Sequence, residues 1–202
     1  MDWVLGCKLY LMSTAKQFDL VSVEEYLRRE QHSTTRHEYL GGVLYAMGGG
    51  RNVHNLVATN ISASLWTRLR GGECSVYNSD TKIRIRHSNH TRFYYPDVSV
   101  ICRPNPPHDL YQDQPAVVVE VLSESTRRTD AGEKCEAYLS IPSLEVYLMV
   151  EPEEPVVVIF RRTEQGFARE VVEGVTSTVT LPGIGVELPL EEAYQGVELV
   201  SG

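Results

Sequence analysis

Two acidic side chains sit where the surrounding pattern calls for apolar ones. Asp97 falls in Tyr95-Pro96-Asp97-Val98-Ser99-Val100-Ile101 and Glu120 in Ala116-Val117-Val118-Val119-Glu120-Val121-Leu122, runs that otherwise read as buried strands. An isolated ionised carboxylate in a low-dielectric interior costs several kcal/mol. Two of them close together also repel and require a cation between them. A basic residue follows the second run: Asp130, Lys134 and Tyr138 recur at helical spacing, on the face shared with Ala137 and Ile141. We therefore expect Asp97 and Glu120 to hold a divalent metal, with Lys134 completing the site. The competing expectation is a structural ion-pair network, in which Lys134 or an arginine neutralises the acids, or in which Lys134 merely pairs with Asp130 along the helix surface.

Other elements must position these groups. Ser22-Val23-Glu24-Glu25 has the form of a capping box opening a short helix through about Arg29. Arg36 to Met47 alternates around Gly41-Gly42, a two-residue hairpin signal, with Glu38 in the first arm. Gly48-Gly49-Gly50 lacks the Gly-Lys-Ser/Thr of a phosphate loop and reads as a flexible lead into a helix. That helix is expected over Asn52–Leu69, with Val53, Leu56, Val57, Ile61 and Leu65 on one face. His54 stands near its positive end, as a packed histidine or as a contact for metal or phosphate. Val76 to Arg86 reads as one strand, with Lys82, Arg84 and Arg86 on a wet face and Asp80 near its start. His87 to His90 is a turn, and the chain returns through Arg92 to Ile101 as the strand of Asp97. Ser123-Glu124-Ser125-Thr126 supplies N-cap candidates for the helix of Lys134, and Pro142 ends it. Leu144–Val150, Val156–Arg162 and Phe167–Val172 read as strands, Val179–Leu181 and Val186–Leu188 as short β segments, and Leu190–Tyr194 as one helical turn.

The length of 202 residues suits one domain, expected over residues 22–202 behind a poorly ordered extension, 1–21. Met12 offers an alternative start, so residues 1–11 are expected to lie outside the native protein. A hydrophobic content of 42% and a charged content of 23% are ordinary for a globular chain. No apolar run approaches the roughly 20 residues of a membrane span, and Trp3 to Met12 lacks a cleavage site, so neither membrane nor secretion is expected. Cys7, Cys74, Cys102 and Cys135 form no C-x-x-C pair; they argue against a zinc site or redox pair and fit a cytoplasmic location. The net charge of −8 disfavours polyanion binding by the whole surface. It leaves room for a local basic groove drawn from Arg68, Arg70, Lys82, Arg84, Arg86, Arg127-Arg128 and Arg161-Arg162, most of which are expected on solvated faces. The absence of G-x-S-x-G argues against a serine hydrolase.

With those residues in place, the chain resembles the PD-(D/E)XK nuclease superfamily and, more closely, the Uma-two family of restriction-endonuclease-like proteins. The resemblance runs from Ser22 over almost all the rest of the chain. It is carried by Glu38 with Gly42, His54, Asp80 before Thr81-Lys82-Ile83-Arg84-Ile85, Tyr95 through Val100, Val119-Glu120-Val121-Leu122-Ser123, and Ser125-Thr126 through Asp130, Lys134 and Tyr138. It implies an α/β (α+β) fold with a restriction-endonuclease-like core: a mixed central sheet flanked by helices, with added β-hairpins.

The resemblance also implies an endonuclease that hydrolyses phosphodiester bonds in DNA with Mg²⁺ or Mn²⁺, and a homodimer. The superfamily places a lysine two residues beyond the second acid, where this chain has Leu122. The resemblance implies that Lys134 substitutes, with Lys82 the less well placed candidate. Asp97, Glu120 and the Val121 carbonyl would ligate the metal. Lys134 would orient or deprotonate the attacking water, or stabilise the pentacovalent charge. Glu38 and Asp80 would form a second layer of carboxylates, with His54, Ser123 and Tyr138 in support. The alternative is a catalytically lapsed nuclease fold that binds DNA or a protein, favoured by the missing strand lysine and the acidic balance.

Overall fold

The structure is a computed structural model and describes residues 20–123, 127 and 130–199. The expected alternative start at Met12, nearly all of the extension 1–21 and the N-cap candidates Glu124 to Thr126 lie outside the described residues. Helix α1, Val23–Glu30, opens as expected: the Ser22 hydroxyl accepts the Glu25 N–H at 3.2 Å. The Glu25 carboxylate does not close the box; it turns outward to Arg28 and Arg29.

Strands β1 (His37–Leu40) and β2 (Val43–Ala46) form the expected hairpin. Gly41 and Gly42 have φ of +58° and +106°, the left-handed turn that a tight hairpin needs and side-chain-bearing residues resist. Helix α2 spans Asn52–Leu69, as its spacing dictates, and buries Val57, Ile61, Leu65 and Leu69.

Two segments expected as continuous strands are each cut in two. Val76–Arg86 divides into β3 (Ser75–Asn78) and β4 (Lys82–Arg86), because the Asn78 side chain accepts the Asp80 N–H and its carbonyl accepts the Thr81 N–H, closing a turn. Arg92–Ile101 divides into β5 (Thr91–Tyr94) and β6 (Val98–Ile101). Pro96 has no N–H to give to a ladder, so the chain leaves one sheet there and joins another. Asp97 therefore stands at the corner between the sheets, not within a strand.

Strand β7 (Tyr111–Gln112) completes a five-stranded sheet in the order β2-β1-β5-β4-β7. Strands β8 (Pro115–Val121), β9 (Val146–Val150), β10 (Val156–Thr163) and β11 (Gly166–Glu173) join β3 and β6 in a six-stranded sheet, ordered β11-β10-β9-β8-β6-β3. That sheet is mixed: β8 runs parallel to β9 and antiparallel to β6. A two-stranded ribbon, β12 (Thr178–Leu181) with β13 (Val186–Pro189), leads into the one-turn helix α4, Leu190–Ala193.

Period-two alternation along β8 sorts its side chains between two cores. Val117, Val119 and Val121 meet α2, β12 and β13 on one face of the sheet. Val118 and Leu122 meet Cys135, Ala137 and Tyr138 on the other. The segment that carries those last residues is not the regular helix expected: Asp130–Lys134 is a π-helical turn running into α3, Cys135–Leu139. Such turns widen a helix locally and are frequent at functional sites.

Cys74 and Cys102 do not stand alone. They flank the paired residues Ser75 and Ile101 of β3 and β6 and form a disulfide. Cys135 is a free, buried thiol. Among the described residues no helix is long and apolar enough to cross a membrane.

Candidate active site

Antiparallel pairing of β6 with β8 sets Val98 opposite Val119, which brings Asp97 level with the Glu120–Val121 step. The Val121 N–H donates to Asp97 Oδ2 at 2.8 Å. His54, in the first turn of α2, reaches the same oxygen, with Nε2 at 3.2 Å. The Asp97 carboxylate raises the pKa of the imidazole, more than burial lowers it, and the Val121 backbone adds to the rise. Strand corner, central strand and helix terminus thus meet at Asp97.

Glu120 points to the opposite face and is only 4% exposed. Its Oε1 accepts a hydrogen bond from the Tyr138 hydroxyl at 3.0 Å and lies 3.3 Å from Lys134 Nζ. Lys134 Nζ also lies 2.8 Å from Glu38 Oε1 and 3.4 Å from Asp130 Oδ1. Glu38 comes from β1, Glu120 from β8, and Asp130 and Lys134 from the π-helical turn, so the cluster joins both sheets. Tyr138 is fully buried between the Tyr94 and Tyr147 rings, which fixes its hydroxyl on Glu120.

The charges do not balance within this cluster. Burial pushes the Glu120 carboxyl well above its ordinary value; Lys134 opposes that rise, while Asp97, Asp130 and Glu38 add to it. Burial alone would pull the Lys134 amine down, but Glu120, Glu38 and Asp130 more than offset it and hold the amine above its usual value. The three carboxylates gathered around the amine favour its charged form.

Among the described residues, no group of three His, Cys, Asp or Glu side chains already converges as a metal cage. The donor chemistry nonetheless fits a hard divalent ion. Glu38, Asp97, Glu120 and Asp130 outnumber Lys134 and His54 even with the imidazole protonated, and Asp130 Oδ1 is buried with only its 3.4 Å ion pair to Lys134. Oxygen donors in surplus negative charge are what Mg²⁺ and Mn²⁺ take.

Asp80 stays outside the cluster, exposed, and pairs with Arg36. Lys82 also stays outside; its Nζ meets the Tyr95 hydroxyl at 3.2 Å. Ser123 lies two residues beyond β8, and its carbonyl accepts the Arg127 N–H. Asp130, expected only as a helix neighbour of Lys134 and as part of the family pattern, joins the cluster with its Oδ1 3.4 Å from Lys134 Nζ. The basic residues are mostly engaged: Arg68 with Glu192, Arg84 with Asp113, Arg127 with Glu151, Arg161 with Glu170, and Arg162 with the carbonyls of Leu144 and Ile141.

The arrangement, a mixed six-stranded sheet with helices packed on both faces, is that of a restriction-endonuclease-like α+β protein. A crystal structure described as "a putative nuclease belonging to DUF820" from Anabaena variabilis shares the fold, with a TM-score of 0.69 over 87% of this chain and 98% of that one at 14% identity. The sequence profile of the Uma2 family, described as "Putative restriction endonuclease", matches residues 23–191. The uncharacterized Synechocystis protein slr1290 is 33% identical over 92% of this chain and 97% of its own length. A second Synechocystis protein, sll1609, is 30% identical over 65% of this chain and 75% of its own length. The chain belongs to the Uma2 family.

Proposed function

We propose that this protein is a metal-dependent endodeoxyribonuclease, a Mg²⁺- or Mn²⁺-using hydrolase of phosphodiester bonds in DNA with a PD-(D/E)XK-like site. The observation that carries the reading is the buried surplus of carboxylate around Glu120. Ion pairs kept for stability alone tend to be balanced, because an unpaired buried charge is costly. Asp97, Glu120 and the Val121 carbonyl would hold the ion, which when bound polarises the phosphoryl oxygen and acidifies a water. The chain's own residues do the rest. Tyr138 and Lys134 hold the Glu120 carboxylate in one orientation. The Val121 N–H and His54 do the same for Asp97. Lys134, whose charged form its three carboxylates favour, stabilises negative charge gathering on the phosphate. Glu38 keeps that amine in place.

Family membership and the fold shared with a nuclease support the reaction class; DNA as substrate, the metal and the residue roles are the reading offered here. With it go a single domain from residue 22 onward, a cytoplasmic setting, where the Cys74–Cys102 pair would be held largely as thiols, and a homodimer formed through β11, the outer strand of the larger sheet. The test is nicking of supercoiled plasmid in Mg²⁺ or Mn²⁺ by the wild type and by Asp97→Ala and Glu120→Ala. Nicking lost in both variants is expected. Equal nicking by all three would mark a contaminant.

One observation favours the second reading, a lapsed nuclease fold that binds DNA or protein: Lys134 is already saturated by three carboxylates. On that reading Mn²⁺ binds no more strongly to the wild type than to Asp97→Ala.

A further inference from the structure

Helix α2 turns an unusual face outward. Its inner side packs on the sheet, but the flank beside β3, Asn55, Thr59, Ser62, Ala63 and Trp66, carries no charge and no bulk until Trp66. Surface helices normally present charged residues to water. The sequence around it is equally unusual: no Asp or Glu occurs between Glu38 and Glu73, in a chain with 27 acids among 202 residues. A trough of about 600 Å³ runs along this face, walled by β3, from the Asp97 carboxylate to Trp66. A second hollow of about 420 Å³ shares Trp66 and Val76 with it and continues to Arg70 and the Gly71-Gly72 turn. The groove beneath Pro104 to Gln112, by contrast, contains Asp80 and Asp109. Trp66 is 52% exposed, costly for a side chain of its size, and the Arg70 guanidinium lies 5.4 Å from its ring centroid.

We propose that this trough carries an unpaired stretch of the DNA strand whose phosphate reaches Asp97, with one base stacked on Trp66. The proposal rests on the nuclease reading and names the form of its substrate. An aromatic platform binds a base through its flat face, which is free only in an unpaired nucleotide. Small walls formed by Ala58, Thr59 and Ala63 leave room for a flat ring. Beyond Asp97 at its near end, the lining carries no acid to repel phosphate, and Arg70 stands at the far end to meet it. From Asn55 to Trp66 the helix rises roughly 16 Å, long enough for a few unpaired nucleotides. A duplex would need a row of phosphate-binding cations, and most of the chain's arginines are committed to partners elsewhere. Binding by stacking with few phosphate contacts should also depend only weakly on salt.

The test uses the full chain in EDTA, so that binding is read without cleavage. Fluorescence anisotropy compares a labelled 15-nucleotide oligothymidine strand with a duplex of the same length. The strand is expected to bind more tightly. Trp66→Ala should lose roughly tenfold or more of that affinity, with Trp66→Phe keeping most of it. In a Trp3→Phe background, the strand should quench the emission of Trp66. Trp66 is half exposed, so Ala there should leave the thermal melt unchanged; a lowered melt would move the comparison to Trp66→Phe and the quenching. A duplex that binds more tightly than the strand, a Trp66→Ala protein that holds the strand as well as wild type, or unquenched Trp66 emission overturns the proposal. Plasmid nicking run in parallel keeps the two readings apart. Nicking that depends on Asp97, with strand binding indifferent to Trp66, removes the groove and leaves the nuclease. Strand binding that depends on Trp66, without any nicking, does the reverse.

Discussion

Lys134 Nζ lies 2.8 Å from Glu38 Oε1, an ion pair that ties the π-helical turn to the first hairpin and so joins the two sheets through the site. The same amine serves Glu120 and Asp130. Lys134→Met would leave three carboxylates buried together. Removing one partner of a buried charge cluster costs about 3–5 kcal/mol. Freed of the lysine that opposes its rise, the Glu120 carboxyl would stand still further above its unfolded pKa, so the penalty should be greatest at pH 8 and shrink toward pH 5 as it takes up a proton. Urea unfolding at the two pH values reads this directly. Adding Glu120→Gln to Lys134→Met should recover part of the stability without restoring nicking. A loss that is the same at both pH values would mean that Lys134 contributes packing and not charge.

Cation binding should be visible as stability, because Glu120 is held among other negative groups. At a free Mn²⁺ concentration of one hundred times Kd, the folded state gains about 2.7 kcal/mol. Melting curves with and without Mn²⁺ should separate for the wild type and coincide for Asp97→Asn and Glu120→Gln, with the calorimetric heat lost in step. Variants that keep the full shift would place the ion elsewhere. A wild type without any shift would leave the binding-module reading standing.

Much of this site was legible in the sequence, for physical reasons that differ from residue to residue. Glu120 interrupts a run of buried valines, and a charge there stands out against any apolar pattern. His54 and Glu38 were placed by strong local signals, the long apolar stripe of α2 and the Gly41-Gly42 turn. The division of Val76–Arg86 and of Arg92–Ile101 between two sheets was not legible, because a strand that changes sheets keeps its alternation on both sides of the corner. Pro96 was the clue to one of those corners and the Asn78 turn to the other. The pairing of Cys74 with Cys102 depends on β3 lying beside β6, a contact between segments with a sequence separation of 28. Local pattern carries no information about it. The surroundings of Lys134 were hidden for the same reason: burial could be read from the sequence, but the convergence of Glu38 and Glu120 with Asp130 on the amine could not.

The Cys74–Cys102 crosslink makes its own prediction. It closes a loop with a sequence separation of 28, for which chain entropy gives about 3–4 kcal/mol. Protein purified without reductant should yield a Cys74–Cys102 linked peptide on non-reducing digestion. Dithiothreitol should lower the unfolding free energy by up to that amount, and Cys74→Ser should lower it equally and remove the response to dithiothreitol. Cys135 should stay unmodified by iodoacetamide at pH 7.5 in the folded protein, since burial pushes its thiol up to about 11. Alkylation of Cys135 at the rate of an exposed thiol would contradict its position beneath the central sheet.

The end of the chain fixes the helix that carries His54. Arg68 of α2 makes a paired contact with Glu192 of α4, at 2.7 and 2.6 Å, and Ser64 donates to the same carboxylate at 2.6 Å. Those hydrogen bonds, Arg68 first and Ser64 second, lower the Glu192 pKa from 4.5 to about 2. A carboxylate depressed in the folded state stabilises the protein above its unfolded pKa, and that contribution fades as the pH falls through the folded value. The window is therefore about pH 4.5 down to 2. Because the Glu192 side chain is 43% exposed, the contribution at neutral pH should be only about 0.5–1 kcal/mol after solvent screening. Glu192→Gln should melt below wild type at pH 7, and the gap should close as the pH approaches 2. High salt at pH 7 should narrow it as well. A gap that persists unchanged at low pH would assign the role of Glu192 to its hydrogen bonds and packing on α2 instead of its charge. In that case Glu192→Gln, which keeps one acceptor, should be milder than Glu192→Ala at every pH.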